Sequence, residues 1–378
     1  MDFPWTIRLY EEHDLPAIVD LVNQCDRADG LDKPASLSAF QAQFERSDLA
    51  PTRQVLVAEK SGQVEGAEQV PGYDATLSQL PEGTIIAFGR AFPGGSGEQR
   101  TYGLMVRVHK AARSKGLERI MARRLLEVVR AEESRPDVEP AHSVRLRTYL
   151  FPQHASVIGV MEQIGLRRVR EGWTMSRQLE GKLQEPSPLK GLTVRTYRVP
   201  QDNERVLVAL NIAFADYYDF QPLDNDRWNH EVQASYVRPD LSWLAIADAQ
   251  EAAGMVGSAE KVGDVSGNEG KEGPVAGFAI CWIDDEQNRQ SGNEEGWIEG
   301  MGVVPGWRRQ GIARNLLLNS LRSLQAAGMS VAMADVDAGG DPGGSPAVTL
   351  FRSLGFTPRE VLLQLECRLD SATIENRS

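Results

Sequence analysis

A chain of 378 residues with 41% hydrophobic and 25% charged residues has a globular composition and the length for two or more ordinary domains. Its formal net charge of -12 argues against a phosphate-backbone binder, so nucleic acid is not an expected partner. The three cysteines, Cys25, Cys281 and Cys367, have no metal-like spacing and read as buried free thiols in a reducing compartment.

The start, MDFPWTIRLYEE, lacks a basic region followed by an apolar core, and no later run is long enough to span a bilayer, so the chain reads as cytoplasmic and without a membrane partner. Thr6-Ile7-Arg8-Leu9-Tyr10 predicts a strand, followed by a helix through Leu15, Ile18, Val19 and Val22 and another from Leu37 to Phe44. Gln54 to Glu59 and Thr84 to Phe92 read as strands, with the polar stretch from Ser61 to Glu82 as a long loop between them. Leu104 to Val108 is strand-like, and Leu117, Met121, Leu125 and Val128 mark a helical face after it. Gln184-Glu185-Pro186-Ser187-Pro188 breaks the periodicity and predicts a linker.

Beyond the linker, residues 202–216 and 228–236 read as helices, and Trp243 to Ala247 and Val275 to Trp282 as strands. The Gly-rich stretch 251–273 between those strands reads as a mobile loop. Val331 to Val336 predicts another strand, and Val361 to Cys367 a last one that closes the sheet of this half.

The most informative stretch is Gly296 to Leu324. A short apolar run with Trp297, Ile298, Met301, Val303 and Val304 predicts a buried strand, which Pro305 ends. After Arg308-Arg309-Gln310-Gly311, residues Ile312, Leu316, Leu317, Leu321 and Leu324 recur at helical spacing. A helix start leaves backbone N–H groups unpaired and carries partial positive charge, so this basic turn is suited to cradle an anion, a diphosphate better than a single carboxylate. Gly311 and Ala313 keep the approach uncrowded while Arg308 and Arg309 add charge.

Val303, Pro305, Arg308, Gly311 and Ala313 resemble the coenzyme A signature of the GCN5-related N-acetyltransferase (GNAT) superfamily. Gly344, Ala347, Leu350, Phe351, Gly355 and Phe356 resemble that family's later signature, with its Asn and Tyr replaced. The resemblance implies an α/β protein in which Met301, Gly302 and Val303 bind the pantetheine arm of acetyl-CoA. Arg308, Arg309, Gln310, Gly311, Ile312, Ala313 and Arg314 then bind its pyrophosphate. Leu104 to Gly116 is a weaker copy, which makes Val106, Val108, Arg113, Lys115 and Gly116 a possible second cofactor site. There Glu118 sets a carboxylate beside the expected phosphates, and a like charge repels them unless it turns away.

Thr193-Val194-Arg195-Thr196-Tyr197 follows Thr6-Ile7-Arg8-Leu9-Tyr10 by 187 residues, Arg308 follows Arg113 by 195, and Gly355 follows Gly165 by 190. These matched landmarks predict a tandem duplication. The fold class expected is therefore two tandem GNAT-like domains, residues 1–184 and 192–378 joined by 185–191, each a mixed, mostly antiparallel sheet flanked by helices. The first is a decayed copy that holds structure, shapes the cleft or binds coenzyme A without turnover.

Acetyl transfer to an amine needs a proton acceptor, and Glu299 in the central strand is the candidate base, on the face that alternation gives to Trp297, Met301 and Val303. The alternative is a strand-end carboxylate in solvent. Leu104 stands at the matching place in the first half. Phe351 and Met161, in the family's Tyr places, cannot protonate a departing thiolate, which leaves Ser345 or water. Asp335 and Asp337 are candidates for binding a cationic substrate; Tyr217, Tyr218 and Trp228 line either the acceptor pocket or an ordinary core. The five histidines form no metal spacing, so no metal is expected. The function expected is transfer of acetyl from acetyl-CoA to a primary amine of a small molecule, with a non-catalytic acyl-CoA sensor or scaffold as the competing class. Monomer and homodimer both stay open.

Overall fold

The computed structural model describes residues 5–31, 35–46, 49–61, 75–94, 99–113, 116–138, 141, 143–248, 272–340 and 344–370. Most of the two loops read from sequence at 61–82 and 251–273 lies outside the described residues, as do Lys115 and His142. The chain forms two compact units: unit 1 holds residues 1–172, 338–343 and 361–378, and unit 2 holds 173–337 and 344–360.

Unit 1 begins with β1 (Trp5–Leu9), α1 (Leu15–Ala28) and α2 (Leu37–Phe44), then β2 (Val55–Lys60), β3 (Ile85–Gly94) and β4 (Gln99–Val108). The helix α3 (Leu117–Glu133), the strand β5 (Ser143–Leu150) and the helix α4 (Ala155–Gln163) follow. The strand β6 (Arg167–Gln178) enters unit 2, which continues with β7 (Leu192–Thr196), α5 (Asn203–Ala213), α6 (Asn225–Val232), β8 (Trp243–Ala247) and β9 (Val275–Trp282). Then come α7 (Asp285–Ser291), β10 (Glu295–Val303), α8 (Ile312–Ala326), β11 (Val331–Gly339), α9 (Pro346–Ser353) and β12 (Thr357–Asp370).

Each unit has the predicted mixed, mostly antiparallel sheet flanked by helices. In unit 1 the strand order is β1-β2-β3-β4-β5-β12, in unit 2 it is β6-β11-β10-β9-β8-β7, and only β4/β5 and β10/β11 are parallel among the ladders described. The sixth strand of each sheet thus comes from the other half of the sequence. Val361 to Cys367 does not close the sheet of the second half as expected. It lies in β12, which pairs antiparallel with β5 from Leu363↔Leu150 to Asp370↔Ser143, and Leu363 and Leu365 enter the unit 1 core. Alternating Val144, Leu146 and Leu150 give β5 a buried face against which that strand gains by pairing.

The duplication is visible in side-chain chemistry as well as in strand order. Arg8 forms a bidentate pair with the buried Asp14 (2.7 and 2.7 Å), and Arg195 forms the same pair with the buried Asp202 (2.7 and 2.8 Å). Burial alone acts to raise both aspartate pKa values, but the guanidinium and a backbone N–H outweigh it and hold both carboxyls below the usual range. α8 packs on its sheet through Ile312, Leu316, Leu317, Leu321 and Leu324, all buried, each contributing roughly 1.5–3 kcal/mol.

Candidate functional site

In unit 2, β10 and β11 pair at only three positions, Glu295↔Val331, Gly296↔Ala332 and Trp297↔Met333, although both strands continue well past them. Across its other edge β10 stays paired with β9 as far as Val303↔Gly277. The strands therefore part after Trp297, and the β10 backbone from Ile298 onward faces a notch on its β11 side.

A β-bulge marks the mouth of this notch. The β9 register passes from Ile298↔Cys281 to Gly300↔Ile280, which leaves Glu299 as the extra residue. The bulge changes which side chains share a face. An added Cβ on Gly302 would meet the Phe278 ring at 2.7 Å and Ala213 of α5 at 3.0 Å, whereas one on Gly277, opposite Val303, would meet Ile312 of α8 at 2.8 Å. Met301 and Val303 therefore face α8, while Trp297 lies on the α5 face. The alternation expected for Glu299, Met301 and Val303 fails at the bulge, which resets the parity and turns Glu299 to the Trp297 face.

Glu299 keeps accessible surface, yet burial by the surrounding protein and then the charge of Asp335 raise its pKa above the ordinary glutamate value, with the Trp282 side chain acting in the opposite sense. Asp335 and Asp337 lie on the same face, because Met333 pairs with Trp297 and side chains alternate along β11. Asp335 is exposed and accepts a hydrogen bond from the Thr174 hydroxyl at 2.6 Å. The rings of Tyr236, Trp282 and Trp297 stack in a row along β9 and β10, with centroids 5.0 and 5.7 Å apart.

The turn after β10 leads into a helix start with a left-handed glycine cap. Trp307 is buried and anchors a short 3-10 turn, Arg309 takes a left-handed φ of 67°, and Gly311 caps α8 at a φ of 83° with no side-chain hydrogen bond to the helix N–H groups. The first N–H groups of α8 thus receive no side-chain cap from Gly311. Arg308 plays another part: its Nε donates to the Val303 carbonyl (3.1 Å) and its guanidinium pairs with Asp216 (2.7 and 3.1 Å). Its charge is matched within the protein, and it staples the turn to the strand end. Arg314 reaches Ser353 (3.0 Å) and Gln184 (2.9 Å), and Arg309, Gln310 and Gly311 are exposed.

The remaining candidates separate. Phe351 is buried against Phe356 with ring centroids 4.9 Å apart, and the Ser345 hydroxyl donates to the Asp337 carbonyl while capping α9. Trp228 is buried in the core with Val206 and Leu210, Tyr217 is exposed against Phe214, and Tyr218 is partly buried. Among the described residues no group of three or more His, Cys, Asp or Glu is placed to hold a metal.

Unit 1 repeats the geometry without its openness. β4 and β5 part after Gly103↔Arg147, Gly116 caps α3 at a φ of 86°, and Arg113 staples Val108 (2.9 Å) to Asp29 (3.0 Å) as Arg308 staples Val303 to Asp216. Here, however, Leu104, Val106 and Val108 are buried, where Glu299, Met301 and Val303 keep accessible surface. Arg107, opposite Phe88, stands where Gly302 stands opposite Phe278. It is buried with Nε 3.5 Å from Asp26, and the buried His154 lies 3.8 Å from Asp26 and 3.7 Å from Asp29. Cys25 donates to the Val108 carbonyl at 3.2 Å, and Glu118 is buried.

Residues 207–356 match the Acetyltransferase (GNAT) family. Among related sequences, the mycothiol acetyltransferase of Saccharomonospora viridis is 28% identical over 226 residues, 59% of this chain and 65% of that protein. The mycothiol acetyltransferase of Saccharopolyspora erythraea is 24% identical over 330 residues, 84% of this chain and 96% of that one. The chain thus spans just under two thirds of the first relative and nearly all of the second. A GCN5-related N-acetyltransferase from Sphaerobacter thermophilus superposes with a TM-score of 0.67 at 22% identity, covering 98% of this chain and 97% of that one. A tandem GNAT protein from the clavulanic acid biosynthesis pathway superposes with a TM-score of 0.58 at 12% identity, covering 96% and 98%. Signature, strand geometry and comparisons agree: residues 207–356 match the Acetyltransferase (GNAT) family, and the chain is similar to mycothiol acetyltransferases in sequence and to tandem GNAT proteins in fold.

Proposed function

We propose that unit 2 acetylates a primary amine of a small polar acceptor, with acetyl-CoA supplying the acetyl group as a thioester. The observation that carries this reading is the placement of Glu299: a bulge sets a carboxylate with a raised pKa on the Trp297 face where β10 and β11 part, ahead of an uncapped helix start. Met301, Gly302 and Val303 offer the strand edge to the pantetheine arm, and the backbone N–H groups from Arg309 to Arg314 receive the pyrophosphate. An alkylammonium titrates near pH 10, so a raised carboxylate is the better-matched acceptor for its proton. Glu299 takes that proton, the amine nitrogen attacks the thioester carbon, the carbon–sulfur bond breaks, and the nitrogen gives up its second proton to water to leave the neutral amide. With Phe351 in the core and the Ser345 hydroxyl engaged, the thiolate takes its proton from water, a step its acidity allows.

Asp335 and Asp337, on the Glu299 face, draw a cationic acceptor to the notch. The relatives are named mycothiol acetyltransferases, and a small polar amine is the acceptor class we infer. Unit 1 is read as a closed copy, since its own side chains bury the strand that unit 2 leaves accessible. The absence of a side-chain acid at Phe351 favours the competing reading, a coenzyme sensor. Thiol release across an amine panel separates the two. Glu299→Gln is expected to lower kcat/KM at least about 100-fold, the usual worth of a general base, while leaving coenzyme affinity within twofold. Saturable coenzyme binding with no amine-dependent release from the unaltered protein would establish the sensor instead.

A further inference from the structure

The stretch Trp173 to Gln178 closes the first repeat in sequence but belongs to unit 2, where β6 lies beside β11. Most of its contacts hold the fold. Trp173 lies under the Arg352 guanidinium at 4.8 Å, Arg177 donates to the Leu354 carbonyl, and just beyond β6 the Leu179 N–H donates to Ser330 at 2.8 Å. Thr174 has a different partner. Its hydroxyl donates to Oδ1 of Asp335 at 2.6 Å, the short distance of a charge-assisted bond.

Asp335 stands two residues past Met333, and Glu299 two residues past Trp297, where Met333 and Trp297 are the last pair before the strands part. Both carboxylates lie on one face of the sheet. An aspartate at an exposed strand position samples several rotamers unless something holds it. A β-branched threonine is stiff at χ1, so its backbone fixes the direction in which the hydroxyl donates.

We propose that Thr174 is a positioning residue of the acetyl-transfer site, fixing the Asp335 carboxylate so that the acceptor's ammonium docks beside Glu299. The inference rests on the function proposed above. It predicts that a strand from the first repeat completes amine binding in the second unit, while coenzyme binding does not depend on it.

The test uses the full chain and a panel of glucosamine, 1,4-diaminobutane, tyramine and cysteine methyl ester, with kinetics measured on the amine turned over best. Thr174→Val keeps the shape and removes the donor; Thr174→Ser keeps the donor. The Val variant is expected to raise the amine KM about tenfold, the scale of a lost hydrogen bond to a charged group, with the acetyl-CoA KM and Tm unchanged. The Ser variant is expected to return the amine KM to within twofold of the parent. Thr174→Val on an Asp335→Asn background should have no further effect on the amine KM. An unmoved amine KM in the Val variant, a Ser variant as weak as Val, or both KM values rising together with a lower Tm would each overturn the inference. No turnover of any amine by the unaltered protein would remove the proposed function and this inference together, whereas turnover with an unmoved KM removes only the inference.

Discussion

A glutamate inside an apolar strand costs least where the ladder already has a residue to spare, and the bulge at Glu299 provides that place. Its raised pKa follows first from burial and then from Asp335, with Trp282 opposing. The base works deprotonated, so kcat/KM for the amine should rise as pH passes the Glu299 pKa, above the ordinary glutamate value. Asp335→Asn removes the like charge, leaves the burial, and is expected to move that acid limb to lower pH. A pH profile of kcat/KM for both proteins checks this, and an unmoved limb would show that Glu299 and Asp335 do not share a field. Glu299 was legible in the sequence as a charge in an apolar run. Its face relative to Met301 and Val303 is not legible there, because a bulge is a property of two strands in register and not of either alone.

At the scale of elements, the turn between β10 and α8 was legible because its chemistry is local: a proline to end the strand, a glycine for the left-handed cap, and leucines at helical spacing. The part played by Arg308 was not, since Asp216, its partner, lies 92 residues away in sequence. Gly311 illustrates the local logic. An added Cβ meets nothing closer than Leu189 at 3.9 Å, so the cost of Gly311→Ala is the backbone strain of a φ of 83° and not a clash. Calorimetric unfolding should show a loss of roughly 1–2 kcal/mol, and coenzyme titration a weaker affinity from the disturbed cap. β5 and β6 were missed because Arg145, Arg147, Arg167, Arg168 and Arg170 obscure their alternation. α7 was missed because seven residues capped by Asp284 give too short a pattern to count.

Over the whole molecule, the duplication was read from three landmarks, and the structure repeats them in strand order, in the Arg8–Asp14 and Arg195–Asp202 pairs and in the two arginine staples. The copies differ in what fills the notch. With Arg107, Asp26, Asp29 and His154 packed at the parted strands of unit 1, we expect one equivalent of coenzyme A per chain in isothermal titration. Two equivalents would show that this cluster opens, and Arg107→Gly then tests whether it sets the count.

The pairing of β12 with β5 also sets a schedule for biosynthesis. Leu363 must find Leu150 across more than half of the polypeptide, so the sheet that starts nearest the amino terminus is the last to be finished. Until β12 has been made and has left the ribosome, β5 waits with an uncovered edge. A nascent product, or one terminated before β12, is then exposed to misassembly at that edge, which β12 otherwise covers.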